Sequence, residues 1–317
     1  MTDTQAELKD RIAAVTGRVV LEPVSLLEDT SSYAAIIAGC VLRLDGADYL
    51  VTGSPRDSRF GFDDQPMLWT KYAVDLSSGA RKIIKLVFFE QFSFELQGIN
   101  IHIRRDPHKE GAFLDMVRGN PHFMQGRAVT DRVGNLVRIV DRLPGRSLFD
   151  HLARMEMPHE EYFAEVFPGL IERLLRSIEA LAEVHRGGAQ HGDIRADHLL
   201  FSGDSDELVW IDFDFDTDFE DYDLWCLGCV LTTVVGGGGH NLHGVRRRRA
   251  AYPGMRDLPD RADTLFLHPY KVANLRKLFP YIPRQLNRIL MRFARQPAEM
   301  YGDLDHLTAD LREACGL

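Results

Sequence analysis

Hydrophobic and polar positions alternate along the first half of the chain and recur at helical spacing along the second half. Alternating runs predict strands at 49–52, 67–74, 82–88 and 136–140. Apolar residues three and four positions apart, from Phe167 to Val184, predict one long helix. The helical pattern returns at 223–235 and from Ile282 onward. This order predicts an α+β fold, with a β-rich half of about 100 residues followed by a mostly helical half of about 170.

Shorter patterns add elements to this order. Apolar residues at 92, 94 and 96 and at 99, 101 and 103 flank Gln97-Gly98, which predicts an inserted hairpin. Pro107 predicts the start of a helix and Gly119 its end. In front of the first strands, an amphipathic stretch at 6–15 and the apolar run Val19-Val20-Leu21 predict an added helix and strand.

Composition and charge narrow the class of protein. Hydrophobic residues make up 45% of the 317 residues and charged residues 27%, which is typical of a soluble globular protein. The net charge of −9 argues against broad nucleic-acid binding. The longest apolar run, at 33–42, is too short to span a bilayer, and the N-terminus lacks the apolar stretch of a signal peptide. We therefore expect a cytoplasmic protein without a membrane span.

Cys226 and Cys229 have the C-x-x-C spacing of a redox or zinc site. No second pair of metal ligands lies near them in the sequence, and their surroundings read as an apolar helix. We interpret them as two small core residues.

Two acidic motifs in the second half carry the candidate chemistry. The first, His191-Gly-Asp-Ile-Arg-Ala-Asp-His198, follows the long helix, and the second is Val209-Trp-Ile-Asp-Phe-Asp214. Phosphoryl transfer needs an acceptor hydroxyl held in line and cations on the nucleotide phosphates. A carboxylate in the first motif can accept the hydroxyl proton, and one in the second can bind Mg²⁺. Either motif alone is weak evidence, whereas the two in this order and spacing point to phosphoryl transfer.

In these motifs the chain resembles the protein kinase family, and within it the bacterial Ser/Thr kinases of eukaryotic type. The family has a catalytic loop H-R-D-x-x-x-x-N and a metal motif D-F-G. The resemblance implies that Asp193 is the proton acceptor and that Arg195 steadies the transferred phosphoryl group. It also implies that Asp212 and His198, which replaces the family's Asn, bind the metal. The resemblance further implies that His191 in the first motif and Phe213 in the second have structural roles.

The resemblance extends to the first half of the chain. Ile83-Ile-Lys85 resembles the third-strand motif V-A-I-K, which implies that Lys85 binds ATP phosphates and pairs with Glu110. The segment 140–145 resembles the hinge of the family, which implies that backbone groups of Asp141 and Leu143 contact adenine.

The fold that this resemblance implies is the two-lobed protein-kinase-like fold. It divides the chain into an N-terminal extension at 1–45, an N-lobe at 46–140 and a C-lobe at 141–317. The segment Asp223-Leu-Trp-Cys-Leu-Gly228 resembles the D-x-W-S-x-G helix, and Asp223 is predicted to cap that helix and brace the catalytic loop. The implied cofactors are ATP with Mg²⁺ or Mn²⁺, and the implied partner is an unidentified hydroxyl-bearing acceptor, either protein or small molecule.

The chain departs from the family around its activation segment. The ten residues 213–222 replace a much longer segment and contain no A-P-E motif. Gly192 stands in place of the Arg that binds a phosphorylated activation loop, and Met300 in place of the Arg that pairs with the A-P-E glutamate. All these losses affect the activation segment or the residues that bind it, so we predict that the activation segment is missing.

Two further departures concern nucleotide and metal. The segment from Gly53 to Gly61 has the position of the glycine-rich loop but not its G-x-G-x-x-G spacing. Asp214 replaces the glycine of D-F-G, and it either joins Asp212 as a second metal carboxylate or turns outward. These departures leave two alternatives to an atypical Ser/Thr kinase. One is a pseudokinase that serves as a scaffold, and the other is a small-molecule kinase similar to aminoglycoside and choline kinases.

Overall fold

The structure is a computed structural model that describes residues 5–57, 65–203, 206–219, 221–252, 254–297 and 299–317. It is an α+β protein whose chain forms two compact units. The first contains the chain up to Glu90 together with 105–119 and 124–143, and the second contains 91–104, 120–123 and 144–317. Across the described residues, no helix combines the length and the apolar character needed to cross a membrane.

Strands are concentrated before residue 142. They are β1 (Leu26–Leu27), β2 (Val41–Leu44), β3 (Ala47–Gly53), β4 (Arg56–Asp57), β5 (Gln65–Pro66), β6 (Thr70–Asp75), β7 (Arg81–Lys85), β8 (Glu90–Leu96), β9 (Ile99–Arg105), β10 (Gly126–Thr130), β11 (Leu136–Asp141), β12 (Leu199–Phe201), β13 (Leu208–Trp210) and β14 (Phe215–Thr217).

Among the described residues, two α-helices precede residue 147 and the other α-helices follow it. They are α1 (Gln5–Thr16), α2 (Pro107–Met116), α3 (Leu148–Ala153), α4 (His159–Glu165), α5 (Phe167–Arg186), α6 (Tyr222–Val235), α7 (Leu242–Arg247), α8 (Arg284–Met291) and α9 (Leu304–Cys315). The division into a β-rich half and a helical half, predicted from hydrophobic periodicity, is therefore confirmed.

The first unit is built on a seven-stranded sheet in the order β1-β2-β3-β6-β7-β11-β10. Helix α2 packs against β10 and β11, while α1 buries Leu8 and Ile12 against Val41 and Leu50. The strand predicted at Val19–Leu21 is wrong, because Val19 is 81% exposed and lies outside any strand. The N-terminal segment contributes β1 and β2 to the sheet instead, since a three-residue apolar run has no alternation to fix one buried face.

The second unit is organised around α5, which packs against α6, α9 and β13. Trp210 at the end of β13 is buried, and its indole Nε1 donates a hydrogen bond to the carbonyl of Ser177 on α5 at 3.0 Å. Gly228 of α6 lies against the ring of Phe293, where a β-carbon would come within 2.2 Å of that ring. This close approach is possible only for glycine, and it fixes the position of α6 in the unit.

Strands β8 and β9 form the predicted hairpin, with Gln97 (φ 52°) and Gly98 (φ 86°) in the left-handed conformation of a tight turn. The hairpin follows β7 in the chain but does not extend the seven-stranded sheet. Its strand β9 pairs with β14, which gives a second sheet of order β14-β9-β8 in the second unit. Its apolar residues Leu96, Ile101 and Ile103 are buried against Phe215.

Candidate active site

The loop 191–198 is held in place by one buried carboxylate. Asp223 accepts hydrogen bonds from the backbone N–H of His191 at 2.6 Å and of Gly192 at 2.7 Å, and it contacts Nε2 of His185 at 2.9 Å. Burial alone would raise the pKa of Asp223, but the contact with His185 and the N–H donors hold that pKa below its ordinary value. The carboxylate is therefore ionised and anchors the loop from below. It does not cap α6 as predicted, because the N-cap position falls on Asp221.

Asp193 and His198 lie at opposite ends of this loop and meet across it. The imidazole Nδ1 of His198 is 2.9 Å from the carbonyl oxygen of Asp193 and 3.4 Å from its Oδ2. Burial raises the pKa of Asp193 above its ordinary value, while the neighbouring His198 and Arg195 side chains oppose that rise. A carboxylate in such a position is more basic than one in water and is better suited to accept a proton.

Asp212 completes a cluster of three side chains with Asp193 and His198. Its Oδ2 lies 4.0 Å from Nε2 of His198, and its own backbone is left-handed, with φ 60°. Because Nδ1 of His198 faces two oxygen acceptors, that nitrogen carries the proton, and the lone pair of Nε2 points toward the Asp212 carboxylate. A lone pair facing a carboxylate suits a divalent cation, which the His198 imidazole and the Asp212 carboxylate would hold together.

Asp214 is 2% exposed and does not turn outward. Its negative charge adds to that of Asp212 in raising the pKa of Asp193, so three carboxylates share this part of the second unit. Among the described residues, no group of three or more His, Cys, Asp and Glu side chains is arranged to hold a metal ion by itself. A Mg²⁺ or Mn²⁺ ion here would fit the residues present as a partly protein-bound ion, with oxygen ligands from phosphates and water.

Arg195 lies on the exposed side of the loop. Its guanidinium makes a bidentate ion pair with the Asp197 carboxylate, with Nε at 3.0 Å from Oδ1. Burial would lower the pKa of Arg195, but the pair with Asp197 and the charge of Asp193 raise it. The side chain is therefore a fixed cation beside the Asp193 carboxylate.

The first unit contains a buried group of charges around Glu110 on α2. The Nζ of Lys85 contacts Oε1 of Glu110, and Nε of Arg138 lies 3.1 Å from its Oε2. Glu110 and Arg138 are 0% and 1% exposed. Arg138 also donates from Nη1 to the carbonyl of Leu86 at 2.9 Å, and it stands opposite Lys85 on the neighbouring strand. One glutamate thus holds two cations, one on β7 and one on β11.

Sequence reasoning identified Lys85 and Glu110 but missed Arg138. The signal for it was present, because a charged residue in the middle of the apolar strand Leu136–Asp141 needs a buried partner. The structure brings Lys85 and Glu110 together in the first unit, and it brings Asp193, His198 and Asp212 together in the second.

The predicted hinge residues differ in their backbone bonding. The N–H of Asp141 donates to the carbonyl of Gln125 at 2.8 Å, and the Asp141 carboxylate pairs with Lys82. The N–H of Leu143 makes no hydrogen bond within the part of the chain that the structure describes. Gly53 ends β3 with φ 155°, where no side chain is present to crowd a ligand, whereas Gly61 lies outside the described residues.

Comparisons with known proteins add no identification. No protein-family model matches the chain, and no curated protein is similar to it in sequence.

Proposed function

We propose that this protein is an ATP-dependent phosphotransferase of the two-lobed protein-kinase-like fold, and that it works without an activation segment. The observation that carries the proposal is the cluster that Asp212 forms with Asp193 and His198, two residues of a loop anchored by a buried carboxylate. Such a cluster joins a basic carboxylate to a cation-binding pair, which are the two groups that phosphoryl transfer requires from a protein.

In the proposed reaction the acceptor hydroxyl lies against Asp193, which takes its proton. The acceptor oxygen forms a bond to the γ-phosphorus of ATP while the bond from that phosphorus to the β–γ bridging oxygen breaks, and ADP leaves with the electron pair. The fixed guanidinium of Arg195 stabilises negative charge on the transferred group. A divalent ion held by Asp212 and His198 neutralises phosphate charge when it is bound.

The buried charges of the first unit support the same proposal. A lysine that contacts phosphate needs a defined position, and the Lys85–Glu110 pair supplies one. The contact between Arg138 and the same glutamate keeps that carboxylate oriented even when Lys85 contacts a phosphate instead. The N–H of Leu143, which has no acceptor among the described residues, is suited to bind a ring nitrogen of adenine.

The test is a radiolabelled ATP turnover assay combined with nucleotide-dependent thermal shift. We expect Asp193→Asn to lower turnover by ~10²–10⁴-fold, because it removes the proton acceptor and keeps its size. The thermal shift with ATP and Mn²⁺ should persist. Asp257→Asn, on the loop after α7, serves as the matched control and should turn over as wild type. Unchanged turnover in Asp193→Asn would contradict the assignment of the base. Wild-type protein that binds ATP without any turnover would favour the scaffold alternative.

A further inference from the structure

A cavity of about 660 Å³ lies beside the candidate catalytic loop, within the second unit. Its volume is in the range of pockets that enclose small molecules. Loop residues Asp193, Ile194 and Arg195 form one side, and Tyr222, Cys226 and Cys229 of α6 form another. The cavity therefore begins at the carboxylate to which we assigned proton removal.

The walls of the cavity are mainly apolar. They include Phe94 from the hairpin β8–β9, Phe149 from α3, and Val230 and Leu267 from the helical body. Burial raises the pKa of Cys229 to about 12, so its thiol is neutral and adds to the apolar wall. Cys226 and Cys229 are three positions apart and so lie on the same face of α6. Because both side chains are small, they leave room for the cavity.

The cavity also has charged residues in its walls, including the carboxylate of Asp197. Lys271 and Arg195 both line it, together with His268. Burial, together with the nearby charges of Lys271 and Arg195, lowers the pKa of His268 to about 4, so both cations lie close to this imidazole. Arg195 is paired with Asp197, whereas no carboxylate in the described segments pairs with Lys271. Lys271 is thus the cation available to a ligand.

We infer that the cavity is the acceptor site and that it takes a small organic alcohol with an apolar body and one anionic group, such as a hydroxycarboxylate. The inference rests on the proposed function for the identity of the reacting hydroxyl, but the cavity and its charges stand without it. The hydroxyl faces Asp193, the apolar body lies against Phe94 and α6, and the anion pairs with Lys271. The phosphoryl group is transferred from ATP to the acceptor oxygen, with the proton passing to Asp193 and ADP leaving.

The site disfavours an extended peptide. Between Asp212 and α6 the described chain forms only the three-residue strand β14, which pairs with β9. Because β8 lies on the other side of β9, a peptide backbone cannot pair with β9, and β14 is too short to be a long docking edge. One cation without a carboxylate partner, Lys271, in a mainly apolar cavity suits one compact anion instead.

The experiment measures binding by calorimetry, without ATP, for matched pairs of probes. Each pair consists of 4-(hydroxymethyl)benzoate or an aliphatic ω-hydroxycarboxylate and its neutral diol. We expect the wild-type protein to bind at least one carboxylate about tenfold more tightly than its diol, which corresponds to roughly 1.4 kcal/mol. Lys271→Met should abolish the preference, while Lys271→Arg, which keeps the charge, should retain it. Lys9→Met, on helix α1 of the first unit, is the control for loss of one lysine.

Cys229→Leu gives a second, independent readout. It adds bulk to the cavity wall and keeps the charges, so it should weaken both members of each pair and leave their ratio unchanged. The inference is overturned if neither probe type binds, if diols bind as tightly as carboxylates, or if Lys271→Met keeps the preference. Carboxylate binding without phosphorylation in the presence of ATP would retain the site and contradict the proposed function. Turnover of Ser peptides with no carboxylate preference would support the proposed function and contradict the acceptor site inferred here.

Discussion

At the scale of single residues, Glu110 has an unusual position because one buried carboxylate serves two cations from neighbouring strands. Removing a partner from a buried ion group costs far more than an exposed pair contributes, since the remaining charges lie away from water. The three residues should therefore differ in the damage that their loss causes. Glu110 is the one on which both of the others depend.

We expect Glu110→Gln to lower the free energy of unfolding by ~3–5 kcal/mol, measured by urea denaturation. Lys85→Met should cost clearly less, because Arg138 still neutralises Glu110. If nucleotide binding depends on Lys85, then Lys85→Met should lose the ATP-induced thermal shift while it keeps most of its stability. Equal losses of stability in the two variants would show that Glu110 is not shared.

His198 allows a prediction about the metal. An imidazole nitrogen is a softer ligand than an amide oxygen, so it favours Mn²⁺ relative to Mg²⁺. We expect turnover of the wild-type protein to be several-fold higher with Mn²⁺, and His198→Asn to shift the preference toward Mg²⁺. The measurement is ATP turnover with each metal titrated separately. His243→Asn, on α7 and outside the candidate site, is the matched control. An equal response of wild type and His198→Asn to the two metals would exclude His198 as a ligand.

Some of the candidate residues could be predicted from the sequence, and others could not. Lys85, Glu110, Asp193 and Asp212 were predicted because they stand in recognisable local motifs. Arg138 was not, because its role depends on a partner on another element, 28 positions away in the chain. The direction of Asp214 was left open, since alternation along a strand does not apply next to a left-handed residue such as Asp212.

At the scale of elements, the segment after Asp212 is ordered by the hairpin. Phe215 of β14 packs edge to face against Phe92 of β8, with ring centroids 5.7 Å apart. The Arg104 guanidinium pairs with Asp216 at 2.6 Å, and the backbone N–H of His102 donates to Asp218 at 3.0 Å. These contacts hold the segment in one conformation. In an enzyme regulated by phosphorylation, an added phosphate orders the corresponding segment in the same way.

We therefore expect the protein to have no phosphorylation switch at this segment. Phosphatase treatment and Thr217→Ala should leave turnover unchanged, because Thr217 lies between Asp216 and Asp218, and a phosphate there would meet like charge. Phe92→Ala should lower turnover about tenfold or more, since it loosens the segment that follows Asp212, the proposed metal ligand. Hydrogen exchange at 215–217 should increase in the same variant.

The control for this pair of experiments is Phe89→Ala, an exposed phenylalanine outside the hairpin contacts with β14. It should behave as wild type in both measurements. A tenfold loss of activity after phosphatase treatment, with nucleotide binding intact, would show that a switch exists.

The hairpin itself was predicted from apolar alternation around Gln97-Gly98, because both the period of two and the turn chemistry are local signals. Its partner strand was not predicted. β14 is only three residues long, and its pairing with β9 joins segments more than a hundred positions apart. Short strands carry little periodicity, so tertiary pairing decides where they form.

At the scale of the whole molecule, the two compact units do not follow two continuous segments. The second unit needs 91–104 and 120–123 from the first half of the chain. The carbonyl of His122 accepts a hydrogen bond from the N–H of Trp210 at 2.8 Å, and Phe123 packs edge to face against Phe213. The boundary at residue 140 that the family resemblance implies does not include these contributions, because it treats each lobe as one continuous stretch.

A fragment of residues 144–317 should therefore fail to fold cooperatively, whereas a fragment of 91–317 should fold. The first lacks the partner strand of β14 and the contacts of 120–123, and the second keeps both. Near-ultraviolet circular dichroism and thermal unfolding of the two fragments, compared with the full chain, test this expectation. Cooperative unfolding of 144–317 alone would show that the inserted pieces are dispensable.

The hairpin β8–β9 also has a consequence for how such a protein diversifies. One of its faces contributes Phe94 to the cavity, while its other face consists of exposed polar residues, and neither face belongs to the seven-stranded sheet. Mutational drift in the hairpin therefore reshapes one wall of the cavity at little risk to the sheet that holds Lys85. Substitutions at Phe94 would then change ligand preference alone, whereas substitutions at Phe92 would also change the chemistry, because Phe92 packs against the segment that follows Asp212.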